Sequence, residues 1–411
     1  MSTVLNIDKK LLQQLLLIAL PMIASQASDT LMLFTDRLFM SRISPEHLSA
    51  CLSGGVTAFV VTTFPMGIAF QSTALIAQYY GANKQEHCAQ ITKQTLYIIF
   101  GIFPFILALA LLLGPSLFRS MGHSPKHTEL EIAYYNILCI TMIFPLIRSV
   151  FSAFFTGIGQ TRYVMYGNFL AVICNIPLSY MMAFGKGPFP ELGIKGVAYA
   201  TALSGLISCL YFAWLFFHKK YQKVYQTRLG FSLHWEDCKK ILYFGSPAGV
   251  ELFLQVAAFD FFVLLFQSQG ADIATAITIT FNWDLLAFLP MVGIGGATMT
   301  IVGQSLGAKN IERAEKASHL ALFLGIAYTL FFIFFFVFQT ELLVDLFLSS
   351  DANAETRRMS ISLLRIAAIY LTADAAFLVY SGALKGAGDN YWSMKMTILI
   401  YWVMAGGTWA L

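Results

Sequence analysis

The residues of this chain best placed to do chemistry are carboxylates that stand where charge is expensive. The stretch from Leu11 to Ser41, LLQQLLLIALPMIASQASDTLMLFTDRLFMS, carries Asp29 and Asp36 inside an otherwise apolar run. It is longer than the roughly 20 residues a helix needs to cross a bilayer. A carboxylate at that depth costs roughly 2.5 to 3.5 kcal/mol on insertion scales, so it faces a protein interior or a wet cavity and acts there. Seven residues span close to two helical turns, which puts Asp29 and Asp36 on one face about 10 Å apart. Asp374 lies in a second apolar run, YLTADAAFLVYSG. A carboxyl group in such a place must ionise into water, bind a cation or hold a proton, so Asp36 and Asp374 are candidate ion-coupling residues.

Other polar side chains fall in similar surroundings. Glu251 and Gln255 are four apart and share a helix face, whereas Asp260 points roughly the other way. Glu251 and Gln255 therefore read as cavity-lining. Asn168 and Asn175, seven apart, can offer neutral oxygens to a hard cation or bond across helices, the commoner use. Arg148 is either a counter-ion to one of the acids or a snorkelling end residue, and both readings stay open. Aromatics make up 15% of the chain. Phe253, Phe259, Phe281, Trp283, Tyr370 and Phe377 lie near the acids in sequence, where a flat cation over a ring gains about 0.5 to 2 kcal/mol. For any single ring, core packing is the commoner role. All seven histidines fall in loops or at helix ends, which leaves none inside an apolar run for acyl transfer, metal or haem chemistry. The six cysteines are scattered and read as structural.

The elements that must carry these residues are membrane helices. With 57% hydrophobic and only 12% charged residues, and apolar runs recurring from end to end, the chain reads as an all-α polytopic membrane protein. Eleven spans are expected, at 11–40, 48–79, 89–114, 129–156, 162–184, 196–218, 238–267, 272–304, 314–338, 360–386 and 390–411. No small-residue cleavage site follows the first apolar region, so that region is read as a retained helix. Placing the N-terminus in the cytoplasm puts fifteen Lys and Arg in the inner loops and flanks against seven in the outer ones. The net charge of +4 is accounted for by this bias and calls for no nucleic-acid partner.

The spans repeat. AFFTGIGQTRYVM from Ala153 realigns with GALKGAGDNYWSM from Gly382 at an offset of 229, setting Gly157 on Gly386 and Gly159 on Gly388. FPMGIAFQSTALIAQYYGANK from Phe64 realigns with LPMVGIGGATMTIVGQSLGAKN from Leu289, setting Gln78 on Gln304 and Gly81 on Gly307 at an offset of 226. At the same offset Pro21 falls on Pro247. Two homologous bundles separated by six helices have the same orientation and should enclose a central cleft about an axis along the membrane normal. The expected units are residues 1–218 with six helices, a basic linker at 219–237 read as a solvated cytoplasmic loop, and residues 238–411 with five. Because 162–184 maps onto 391–413, the chain is expected to stop inside its eleventh helix, with about 40 further residues and a twelfth helix in the natural product. Pro65, Pro145, Pro247 and Pro290 mark expected bends.

Taken together, Pro21 with Asp36, GANK and GAKN, GIGQTRY, ELGIKGVAYATALS from Glu191 and GALKGAGDN resemble the multidrug and toxic compound extrusion (MATE) transporters, and GKGPFPELGIKG from Gly185 resembles their NorM-like branch. The resemblance implies a secondary antiporter that opens alternately to either side and exports amphipathic, often cationic compounds against protons or sodium ions. It implies no cofactor beyond that coupling ion, small-molecule cations and membrane lipid as partners, no obligate protein partner, and a multi-pass location in a cell membrane, a bacterial inner membrane. Asp36 matches the helix 1 carboxylate of the family and Asp374 the helix 10 carboxylate of NorM-like members. Two positions depart from the pattern: the helix 7 acid falls on Gln255, with Glu251 one turn earlier, and the helix 5 acid or amide is Ser179. A sodium site between Asp374 and Glu251 is the corresponding expectation. The alternatives are a lipid-linked-precursor flippase of the same superfamily, which would need cationic side chains in the cleft, and, more distantly, an integral membrane enzyme.

Overall fold

The computed structural model describes residues 8–121, 124–228, 232–267, 271–347 and 353–410. All regular structure among these residues is helical. The first bundle comprises α1 (Lys9–Ile43), α2 (Pro45–Gly81), α3 (Gln85–Ser120), α4 (Pro125–Thr141), α5 (Ile143–Gly157), α6 (Thr161–Phe184) and α7 (Ile194–Phe216). A short α8 (Lys219–Tyr225) leads to the second, formed by α9 (Trp235–Gln267), α10 (Ala271–Gly307), α11 (Ile311–Phe338), a short α12 (Thr340–Asp345), α13 (Ala354–Ala387) and α14 (Asn390–Ala410). Nine helices among the described residues are long and apolar enough to cross a membrane, and the bent pair α4 and α5 passes the same test when its two parts are taken together. In α14, Thr397 and Tyr401 bond to side chains of α9.

Local chemistry sets the ends. Asp8 caps α1 by accepting from the N–H groups of Lys10 and Leu11 at 3.0 and 3.2 Å, which satisfies donors that have no partner inside the helix. Gly159 and Gly388 follow α5 and α13 at φ 77° and 92°, a left-handed conformation that glycine enters without penalty.

Two expectations are corrected here. The single helix expected over 129–156 is α4 and α5, bent by 42° at Met142. Pro145 lacks an N–H and its ring clashes with the carbonyl four residues back, at Thr141, where α4 ends. The linker at 219–237 is not simply a solvated loop. Its α8 turns Tyr221 and Tyr225 into the aromatic core formed by Phe151, Phe154, Phe155 and Phe216, leaving them 2% and 5% exposed.

The two bundles are joined along one end. Leu11, Leu15 and Ile18 of α1 pack with Met291, Ile294 and Ile301 of α10. Gly67 of α2 lies against the backbone of Gly249 of α9, closer than a Cβ would allow. Beyond this seam, toward the C-terminal half of α1 and of α9, lie the polar clusters that carry the chemistry.

Candidate functional site

The site in the first bundle is built between α1 and α6, which run parallel. Asp29 and Asp36 on α1 repeat at seven, as do Asn168 and Asn175 on α6, so the two helices present polar groups in register. At the first level, Arg148 on α5 pairs with Asp29, Nη1 to Oδ1 at 3.1 Å. Asn168 donates through Nδ2 to Asp29 Oδ2 at 3.2 Å and to Ser25 Oγ at 2.5 Å, and accepts from Arg148 at 3.3 Å. Arg148 is thus a counter-ion, and Asn168 serves cross-helix bonding.

At the second level Asp36 is 2% exposed. Ser179 Oγ donates to its Oδ1 at 2.8 Å, and Thr201 Oγ1 on α7 donates to its Oδ2 at 3.1 Å. Asn175 Nδ2 supports Thr201 at 3.3 Å. Among the described residues Asp36 makes no ion pair, and the buried Asn175 Oδ1 has no hydrogen-bond partner. Asn175 and Ser179 are fully buried. Their place is around the carboxylate rather than on an open cavity wall. A buried carboxylate beside an unpartnered neutral oxygen is a place for a proton or a small hard cation.

In the second bundle the expected residues divide into two groups. Asp374, half-buried on α13, lies within Coulombic reach of Asp284 on α10, and Tyr370 donates its hydroxyl to Asp284 Oδ1 at 3.1 Å. Gln255 Nε2 donates to the Tyr401 hydroxyl at 2.9 Å, and Phe377 packs 6.5 Å from the Tyr401 ring. Glu251 belongs elsewhere. Its Oε1 pairs with Lys385 Nζ at 2.9 Å and accepts from Thr397 and Ser393 at 3.0 and 3.3 Å. Lys385 is eleven residues beyond Asp374 on the same helix, about 16 Å along its axis. Glu251 is thus held by the Lys385 ammonium, and the acid beside Asp374 is Asp284 rather than the Glu251 expected for a sodium site.

Trp283 is also corrected as a cavity-lining residue. Its indole N–H donates to the Leu343 carbonyl at 3.1 Å and its ring packs on Phe347, within the core under α12. Phe253 and Phe259 are exposed, and Phe259 packs edge-on to Phe281 at 5.2 Å. The side chain of Asp260 lies outside the described residues. Sequence reasoning missed Thr201, Asp284, Tyr401 and the inward turn of Lys385. Asp284 had the same signal as Asp374, a lone acid in the apolar run TITFNWDLLAFLP. Thr201 stood inside the quoted AYATALS. No group of three His, Cys, Asp or Glu side chains able to hold a metal ion occurs among the described residues.

Two like bundles joined along one end, each with carboxylates set at membrane depth beyond the seam, define a membrane transporter. The MatE family matches residues 21–181 and again residues 247–405, an interval equal to the offset that carries Pro21 onto Pro247, and the chain belongs to the MatE family. The relative named "Probable multidrug resistance protein NorM" in Pasteurella multocida is 28% identical over 95% of this chain and 84% of its own length. The multidrug resistance protein MdtK of Photorhabdus laumondii is 25% identical over 95% and 85%. These relatives place the chain with the NorM-like branch. Among solved structures, a MOP superfamily transporter from Pyrococcus furiosus superposes with a TM-score of 0.88 at 24% identity, over 96% of this chain and 87% of that one. An outward-facing MATE family transporter gives 0.87 at 24% identity over the same shares. At this identity the likeness concerns the fold.

Proposed function

We propose that this protein is a secondary antiporter that exports amphipathic, cationic compounds across a bacterial inner membrane in exchange for protons or sodium ions, with the exchanged ion bound at Asp36. The observation that carries the reading is the Asp36 cluster: a 2% exposed carboxylate with hydroxyl donors, no counter-charge among the described residues, and an unpartnered oxygen on Asn175. Asp29 is neutralised by Arg148 and Glu251 by Lys385, whereas Asp36 is not, so it is the acid with most to gain from an exchangeable cation. Asp374 and Asp284, with the Tyr370 and Tyr401 hydroxyls near them, supply the negative surface for a cationic substrate in the second bundle. An exchanged ion shifts the two openings only by as much as it binds one of them better, and a burial-dependent site provides that difference.

Protons are the favoured ion. Glu251, which could have stood in for the missing acid at Gln255, is already held by Lys385, so a sodium site in the second bundle lacks that charge. The working division is 1–218, 219–237 and 238–411, with the N-terminus and linker cytoplasmic.

The test uses proteoliposomes loaded with a fluorescent cationic dye, given a pH jump and a sodium jump separately. The pH jump should drive export, and Asp36→Asn, which keeps the shape and loses the charge, should abolish driven export in an inserted protein. Full gradient-driven export by Asp36→Asn would overturn the assignment.

A further inference from the structure

The duplicated motifs meet each other. Gln78 at the end of α2 donates through Nε2 to the carbonyl of Gly386, at the end of α13, at 2.9 Å. Gln304 at the end of α10 donates through Nε2 to the carbonyl of Gly157, at the end of α5, also at 2.9 Å. Gln304 is Gln78 carried forward by 226, and Gly386 is Gly157 carried forward by 229. Each bundle thus gives the other the same bond that it receives.

The chemistry of a helix end explains the acceptors. The last carbonyls of α5 and α13 have no intrahelical N–H to accept from. Gly159 and Gly388, at positive φ, turn the chain away and leave those carbonyls open to the other bundle. The side-chain amide of a glutamine from across the seam then caps each one. The donors are held close by a second reciprocal contact. A Cβ on Gly81 would lie 1.9 Å from the Gln304 carbonyl oxygen, and one on Gly307 would lie 2.0 Å from that of Gln78. The ends of α2 and α10 therefore cross backbone to backbone, which only glycine permits. Gln71 reinforces one side by donating to the Lys385 carbonyl at 3.1 Å.

We infer that Gln78 and Gln304 are a paired latch, positioning residues that hold the two bundles shut at this end. Opening the cleft here, as alternation between the two sides requires, breaks both bonds together, because an axis between the bundles relates them. Each amide bond to a buried helix-end carbonyl biases the equilibrium toward the shut state by about 3- to 10-fold, and because the two glutamines are neighbours their effects are coupled.

The experiment measures that equilibrium directly, without dye or ion gradient, so its outcome is separate from the identity of the coupling ion. Nitroxide labels at Lys84→Cys and Ile311→Cys, both exposed, report the distance between the bundles across the seam by double electron–electron resonance in nanodiscs. Gln78→Met and Gln304→Met keep side-chain length and cannot donate. Each should lower the ratio of short to long distances by about 3- to 10-fold, and the double variant by more than either alone. Should a methionine variant fail to insert, Gln78→Asn and Gln304→Asn, polar but one methylene short, should give the same shift. An unchanged distance distribution in the double variant would overturn the latch. A shift caused by one glutamine alone would also overturn it, since the pair is the claim.

Discussion

Replacing Lys385 by methionine should leave Glu251 as a buried charge without its cation, and the size of the penalty can be worked from the surroundings. Glu251 is 2% exposed, and three donors converge on Oε1 while Oε2 has no partner. Breaking such a pair from the cation side costs about 3 to 5 kcal/mol when the charge is left in place. Lys385 retains 22% exposure, which screens the pair, so a loss of about 3 kcal/mol at neutral pH is expected. Glu251→Gln should cost less, because the partly exposed ammonium can reach water, and Lys385→Met with Glu251→Gln should recover most of the single loss. Thermal unfolding in detergent at pH 7 orders the variants. A Lys385→Met protein as stable as the parent at pH 7, or a double variant no better than Lys385→Met, would refute the reasoning.

Two further outcomes are expected. Asp284→Asn and Asp374→Asn should each weaken binding of a cationic dye about tenfold, since each removes one of two neighbouring negative charges, and fluorescence titration in nanodiscs checks the pair against Ser49→Ala, an exposed position in α2. Under the positive-inside orientation an impermeant thiol reagent applied to whole cells should modify Glu355→Cys and spare Lys223→Cys, and the reverse pattern would invert the topology.

Much of the architecture was legible in the sequence, because a bilayer is an unforgiving solvent. It forces backbone groups into helices and makes every apolar run of sufficient length a span, so the helical class and most spans follow from hydrophobicity alone. Duplication leaves the same residue types at a constant offset, which is why Gln78 with Gln304 and Gly157 with Gly386 could be aligned before their partners were known. Helical periodicity also told that Asp29 and Asp36 share a face, and that Glu251 and Gln255 do.

Periodicity says which residues are neighbours on one helix, and it is silent on what the next helix brings. Tertiary packing alone decided that Asp29 meets Arg148 and is neutralised, while Asp36, two turns on, meets only hydroxyls and an amide. It decided that Glu251 belongs to Lys385 and Asp374 to Asp284, though the first two acids looked like one site. It turned Trp283 into the core and exposed Phe253. It also brought each glutamine onto the opposite bundle's helix end rather than its own. The physical reason is common to all of these. The energy of a buried charge or carbonyl depends on donors and counter-charges within a few ångströms, and those come from segments 119 to 308 residues away whose approach the local sequence does not encode.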